Sequence, residues 1–495
     1  MKKEAILNSI IALTLILVLT LNVSALSING MKINQISLSP DKSSLSKSQN
    51  SRNMDRDQLI RPKPSTITGT FVEEVYDDFK NNKTWSEYFV VDSQGKAHKL
   101  NSKNINFQSG DTISVEGSVS SGGEVTTSKI SLVNKVNSRN TQTLGEQKLL
   151  VLLVNWADDN STPISAREAY SRVFNPNNPK SLAYYVDEVS YGRASVKGNV
   201  YGWVTSEYTK SSLCSSEQFD AIADAVAKAD PYVDFSKYEH LMIVSSDSTM
   251  CGSSATGVAE FITDEGPVAL TRSKLSSFQH LGNTGTDIHE FGHQLGLRHA
   301  NGWECGSVAV GEECQSINYR DTLSIMGFTA GKSHFNSFHK EQLGWFSSDE
   351  IKTITSGTYT ITPLETKSNS NNKNNLGSED LKMLKIPTAS GYEYSIEFRR
   401  PILLDKNLPQ TNGNIDYIYS GAIIHSNYIP NIHLGYDTQL IDNKPHADDS
   451  SDWDFADSVL EPNQKFQDFE NNIEIKTLSF TDDNLTVCID KINSC

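Results

Sequence analysis

Cysteine is scarce and unevenly placed. The 495 residues hold six, and none precedes Cys214. Six in so long a chain do not make the disulfide scaffold of a small secreted domain, and no closely spaced CxxC pair marks a structural zinc site. Positive charge is also short, with 44 Lys+Arg against 60 Asp+Glu and a formal net charge of −16. That balance argues against nonspecific nucleic-acid binding, because nothing basic is at hand to replace phosphate counterions. Beyond residue 25 no run is long and apolar enough to cross a membrane, and no internal repeat appears. What remains is an ordinary soluble composition, 37% hydrophobic and 9% aromatic, which excludes wholesale disorder. The length suggests roughly three domains at about 150 residues each.

The one long apolar run lies at the start. Lys2 and Lys3 precede Ile10 to Leu21, and Val23-Ser24-Ala25 supplies the small residues of a cleavage site. This pattern reads as a secretory signal peptide over residues 1–25. The twelve residues from Ile10 to Leu21 span about 18 Å as helix, short of the ~30 Å hydrocarbon layer. The rival reading is an uncleaved anchor from Ala5 to Ala25. Removing Lys2, Lys3 and Glu4 takes the formal charge from −16 to −17. The expectation is a secreted protein, extracellular or associated with the cell surface, with no membrane span in the mature chain. An even cysteine count then favours disulfides. Proximity pairs Cys305–Cys314 and Cys488–Cys495, leaving Cys214–Cys251. Asn82, Asn160 and Asn484 each open an Asn-x-Ser/Thr glycan acceptor.

Composition then divides the chain. Residues 26–63, rich in Ser, Asn and Lys, read as a flexible linker or pro-segment. Over 64–134 five short β-type runs follow: TITGTFVEEV, EYFVVD, AHKL, DTISVEG and EVTTSKISLV. They suit a small antiparallel barrel, OB-like, with a structural or pro-domain role. A second linker, Asn134–Thr143, leads to an α/β domain over 144–348. Lys148–Trp156 and His240–Ser245 read as central strands and Val268–Arg272 as an edge strand. Helical patterns fall at Ala166–Phe174, Ser181–Ser190 and Glu217–Ala229, the last with Phe219, Ile222, Ala223 and Val226 on one stripe. From 349 to 495 the signal is β-type again and reads as a sandwich. The fold class expected is therefore multidomain α+β. Asp448, Asp449, Asp452, Asp454 and Asp457 offer the hard oxygens that Ca²⁺ takes, but they lack the glycine-punctuated loop of an EF-hand, so a solvated loop is the favoured reading.

The chemistry concentrates in residues 289–299, HEFGHQLGLRH. On a helix, His289 and His293 are four residues apart and project from one face, the spacing with which two imidazoles reach one Zn²⁺ ion. Glu290 lies about 100° around the helix, near the metal but not forced to ligate it. Gly296 can take the left-handed conformation that ends a helix, so that the chain turns back and His299 becomes the third ligand. Three imidazoles leave a fourth position for water, as in catalytic rather than structural sites. Glu290 would then be the general base of a peptide hydrolysis. Downstream, Ser324-Ile325-Met326-Gly327 would place a thioether under the metal.

These residues resemble the metzincin zinc endopeptidases, whose motif is HExxHxxGxxH followed by a Met-turn. The stretches Tyr185–Gly192, Asp321–Gly327 and His334–Trp345 look most like the gametolysin group and its secreted microbial relatives. The resemblance covers about 145–346. It implies His289, His293 and His299 as zinc ligands, Glu290 as general base and Met326 as the Met-turn residue. Two positions depart from it. Some metzincins carry a Tyr two residues after the Met, and here that residue is Phe328, leaving His334, His339 and Tyr319 as nearby candidates for its role. Latency through a pro-segment thiol is excluded, since no cysteine precedes Cys214. Asp111 reads as part of a turn before DTISVEG rather than as a cap on the metal. The expected function is a secreted zinc endopeptidase acting on extracellular or cell-envelope proteins or glycoproteins, with substrate added along the edge strand. The rivals are a noncatalytic adhesion protein and an esterase or amidase using the same metal.

Overall fold

Leu149 to Val154 form an unbroken apolar run because the strand that holds them is covered on both faces. In the computed structural model, Leu149, Val151 and Leu153 enter one hydrophobic cluster while Leu150, Leu152 and Val154 enter another. The structure describes residues 65–495 except 80, 82, 103–104, 106, 108, 121–122, 136–142, 215–216, 248–251, 276, 284, 328–331, 369–379, 409–417, 429–436 and 446–453. The expected signal peptide, the 26–63 segment, most of the second linker, Asn82 and Phe328 lie outside the described residues. So do Asp448, Asp449 and Asp452 of the acidic cluster, and the side chains of Cys214, Cys251 and Asp454.

All five runs over 64–134 are strands: β1 (Ser65–Asp78), β2 (Lys83–Asp92), β3 (Ala97–Asn101), β4 (Thr112–Val119) and β5 (Val125–Asn134). Their pairings close a ring, β1-β2-β3-β5-β4-β1, antiparallel except between β3 and β5. Phe71, Val90, Leu100, Ile113, Val115 and Val125 fill it.

A mixed sheet continues from β1 through β6 (Gly145–Asn155), β7 (Ala194–Thr205), β8 (His240–Ser245), β9 (Gly252–Thr263) and β10 (Gly266–Leu275), in the order β1-β9-β10-β8-β6-β7. Strands β10, β8, β6 and β7 are parallel, and β9 is antiparallel to β10. Helices α1 (Ala166–Phe174) and α2 (Leu182–Val189) cover one face and α3 (Gln218–Ala229) the other. The α3 stripe differs from the expected one. Ala221, Ile222, Ala225 and Val226 are buried while Ala223 is exposed and Phe219 only half-buried. The small Ala221 and Ala225 let the helix approach the sheet, and Phe219 instead lies against Phe89 and Arg272.

The expected edge strand at Val268–Arg272 is corrected. That segment sits inside β10, with β9 on one side and β8 on the other. The outer strand is β9, whose Gly-Ser-Ser-Ala-Thr-Gly opening carries too little apolar signal to be read as a strand. Its edge is covered, because Glu74, Val75, Tyr76 and Asp77 of β1 stand antiparallel to Ala255, Ser254, Ser253 and Gly252.

Two further sheets follow. Seven strands pair in the order Gln315–Ile317, Ala300–Glu304, Thr438–Ile441, Ile423–Tyr428, Tyr392–Glu397, Met383–Pro387 and Ile351–Thr353. Four more pair as Gly357–Ile361, Leu485–Asp490, Ile473–Phe480 and Lys465–Asp468. Both contribute to one core that includes Leu384, Ile396, Ile424, Ile475, Val487 and Ile489. Cys305–Cys314 and Cys488–Cys495 are disulfides, as proximity suggested. The whole is an α+β chain, and no helix among the described residues is long and apolar enough to cross a membrane.

Candidate metal centre

Helix α4 (Thr286–Gln294) carries the first two histidines, and every one of its residues is buried. Ile288, Phe291 and Leu295 seat it in the core shared with Val151 and Met242. Gly292 is required by close packing, since a Cβ there would meet Met326 Sδ at 2.5 Å. The helix ends in a Schellman motif. Leu297 N donates to Gly292 O at 3.0 Å and Gly296 N to His293 O at 2.9 Å, with Gly296 at φ 93°. Leu297 enters the core and the reversed chain brings His299 back over the helix.

His289, His293 and His299 are thereby gathered, and they are joined by Asp77 of β1. One ligand atom from each of the four lies within 4.8 Å of every other, and all four residues are buried. His293 Nε2 is 3.1 Å from His289 Nε2 and 3.2 Å from His299 Nε2. Asp77 Oδ1 is 2.8 Å from His299 Nε2, and Oδ2 lies 3.4 and 3.7 Å from His293 and His289. Four ligand atoms about 2.0–2.1 Å from one tetrahedral ion would stand roughly 3.3 Å apart.

Proton bookkeeping supports a cation at their centre. His289 Nδ1 is 2.9 Å from Ile325 O and His293 Nδ1 is 2.8 Å from Leu297 O. A carbonyl only accepts, so both Nδ1 atoms donate and both Nε2 atoms face inward as lone pairs. Two inward lone pairs at 3.1 Å repel unless a cation lies between them. The donor set of three imidazoles and a carboxylate fits a metal ion.

Burial alone would raise the Asp77 carboxyl, but His299 and His293 outweigh it and hold it well below the usual carboxylate range. Burial, then the neighbouring His293, drives His289 well below the usual imidazole range. Burial first and Asp77 second push Glu290 well above its ordinary value, with Lys274 opposing. Tyr319 donates its hydroxyl to Asp77 Oδ1, and its ring centre is 4.8 Å from that of His299. The other candidates lie elsewhere. His334 contacts Lys340 and Glu188, while His339 is a buried imidazole pushed down to about 3 by burial. Neither contributes to the gathered ligand atoms. Asp111 belongs to the turn before β4, its carbonyl accepting from Phe71 N at 2.7 Å.

Asp77 and its neighbours are what sequence reasoning missed. Glu73 Oε2 is 2.6 Å from Arg298 Nη2, and Glu74 pairs with the 2%-exposed Arg272. Gln218 Nε2 donates to Glu74 Oε2 at 2.5 Å, and Lys274 Nζ donates to Gln218 Oε1 at 2.5 Å. The available signal was EEVYDD itself, an acidic stretch continuing a β-run where acidic residues are disfavoured. No protein-family model matches this chain, and no curated protein sequence matches it.

Proposed function

We propose that the chain is a secreted zinc-dependent endopeptidase of metzincin type, with an OB-like barrel before the catalytic region and a β-sandwich after it. The observation that carries this reading is the buried cluster of three inward-facing imidazoles on the HExxHxxGxxH frame, with Met326 packed against Gly292 beneath it. His289, His293 and His299 would hold Zn²⁺, the ion that three imidazoles in this spacing suit best. Zinc bound there supplies a Lewis acid that polarises a peptide carbonyl and lowers the pKa of water.

The chain's own residues do the rest. The carbonyls of Ile325 and Leu297 orient the His289 and His293 rings. Glu290, on the same helix and buried, takes a proton from water and delivers it to the leaving amine. Its raised proton affinity, set first by burial, suits a group that must hold that proton between the two steps. The substrates are extracellular or cell-envelope proteins, laid antiparallel along the β9 edge.

The test is one preparation measured for zinc content and for casein hydrolysis with and without chelator. The expected result is one zinc per chain and chelator-sensitive proteolysis after removal of the N-terminal segment. Glu290→Ala should keep the zinc and lose hydrolysis. Zinc without hydrolysis in any form of the wild-type chain would favour the noncatalytic adhesion reading, and turnover of small esters alone would favour the esterase.

A further inference from the structure

Strand β1 does two things at once. Its first half closes the N-terminal ring against β4, and Glu74–Asp77 add to the β9 edge. That addition is antiparallel and backbone-paired, the mode by which an extended peptide joins an exposed sheet edge. Side chains alternate along it. Glu73 and Asp77 turn to Arg298 and the histidines, and Glu74 turns to Arg272 and Gln218 on the other face. Each acidic side chain from Glu73 to Asp77 therefore meets a cation or a metal-ligand cluster on the catalytic region.

Resting on the endopeptidase reading above, in which Glu73–Asp77 of the removable segment sits in the cleft as a pseudosubstrate, we infer that this cleft is built for acidic peptide segments. Asp77 takes the fourth corner of the metal cluster, and the β9 backbone over Gly252–Ala255 is engaged. While β1 stays in place, a substrate strand has neither its edge nor access to the metal. Arg272 is 2% exposed with β1 in place and lies over the Phe219 ring, and when β1 leaves it loses the carboxylate of Glu74. A peptide laid in its place covers that charge again, and a buried charge without a partner is costly, so a peptide that returns a carboxylate to that position binds better than one that does not. Arg298 makes the same demand at the position of Glu73. Arg272 and Arg298 are thus the specificity-determining residues, and the inhibitor shows what the cleft selects.

The experiment uses the full chain carrying an engineered protease site between β5 and β6. Uncut chain, cut chain and Asp77→Asn are compared at matched zinc content. Cutting, or Asp77→Asn, is expected to raise casein hydrolysis at least tenfold. The cut enzyme should then cleave a fluorogenic peptide with two Glu residues on one side of the scissile bond at least tenfold faster, in kcat/KM, than its Gln counterpart. Arg272→Gln and Arg298→Gln should shrink that ratio while hydrolysis of the Gln peptide persists. The peptide comparison runs on unaltered enzyme, so it stands even if an Arg variant fails to fold.

A second readout needs no turnover. A synthetic peptide of residues 71–78 should bind the cut, zinc-loaded protein at least tenfold tighter than its Glu73→Gln/Glu74→Gln version, and Asp77→Asn should alter the visible spectrum of the cobalt-substituted chain. Casein hydrolysis at equal rates in cut and uncut chain overturns the pseudosubstrate. Hydrolysis without preference for the acidic peptide overturns the specificity. If no form hydrolyses any peptide, the endopeptidase reading fails, and the binding ratio still decides the acidic cleft.

Discussion

Gly292 and Met326 are matched by size. With the thioether sulfur 2.5 Å from where a Cβ would sit, Gly292→Ala must displace Met326 or the helix. Overpacking of this kind costs about 1–3 kcal/mol, so we expect a lower melting temperature for the alanine variant, together with weaker metal retention in a chelator titration. An unchanged melt would mean that Met326 yields without cost. His299→Ala should behave differently, losing the metal with little change in the stability of the chelated protein. At this scale the gathering of the three histidines was legible, because they share one short segment and its turn. Asp77 was not. It stands 212 positions before His289 in the chain, and only the pairing of β1 with β9 brings the two together.

The turn after α4 sets where His299 falls. Gly296 at φ 93° with its two reverse hydrogen bonds is a position where a side chain costs about 1–2 kcal/mol. Gly296→Ala should therefore lower the denaturant midpoint and also weaken metal binding by about tenfold or more, since the third ligand moves with the turn. Equilibrium unfolding and competition with a chromophoric chelator measure the two effects separately. Elements with strong periodicity were readable in advance: α1 was expected at its observed bounds, and β6 and β8 were expected as central strands. Strand β9 was not, because its Gly and Ser residues give no alternation. The short strands Gln315–Ile317 and Ile351–Thr353 are too brief to carry a period at all.

Across the whole molecule, the C-terminal sheet supports the metal region from behind. His425 on that sheet lies 3.0 Å from Asp321, on the loop that leads to Met326, and both are fully buried. Burial would raise Asp321, but His425 and Asn336 hold it below its ordinary value. Burial would lower His425, but Asp321 holds it above its ordinary value. The signs define a window. The Asp321 contribution is present above 3.8 and is lost as pH falls through its depressed folded value. The His425 contribution is complete below 6.5 and is lost as pH rises through its raised folded value. His425→Asn should therefore destabilise the chelated protein more at pH 5.5 than at pH 9, measured by guanidinium unfolding at each. An equal penalty at both would show that Asp321 does not raise the proton affinity of His425. The sharing of β1 between the ring and the β9 edge has a further consequence for handling this protein. Strand edges with open backbone donors and acceptors recruit other chains, and in the full chain the Gly252–Ala255 edge is capped by its own sequence. Until β1 leaves, the molecule carries that border sealed. Colloidal stability should change at the moment the seal is lifted, with light scattering of the chain cut between β5 and β6 rising with concentration where that of the uncut chain does not.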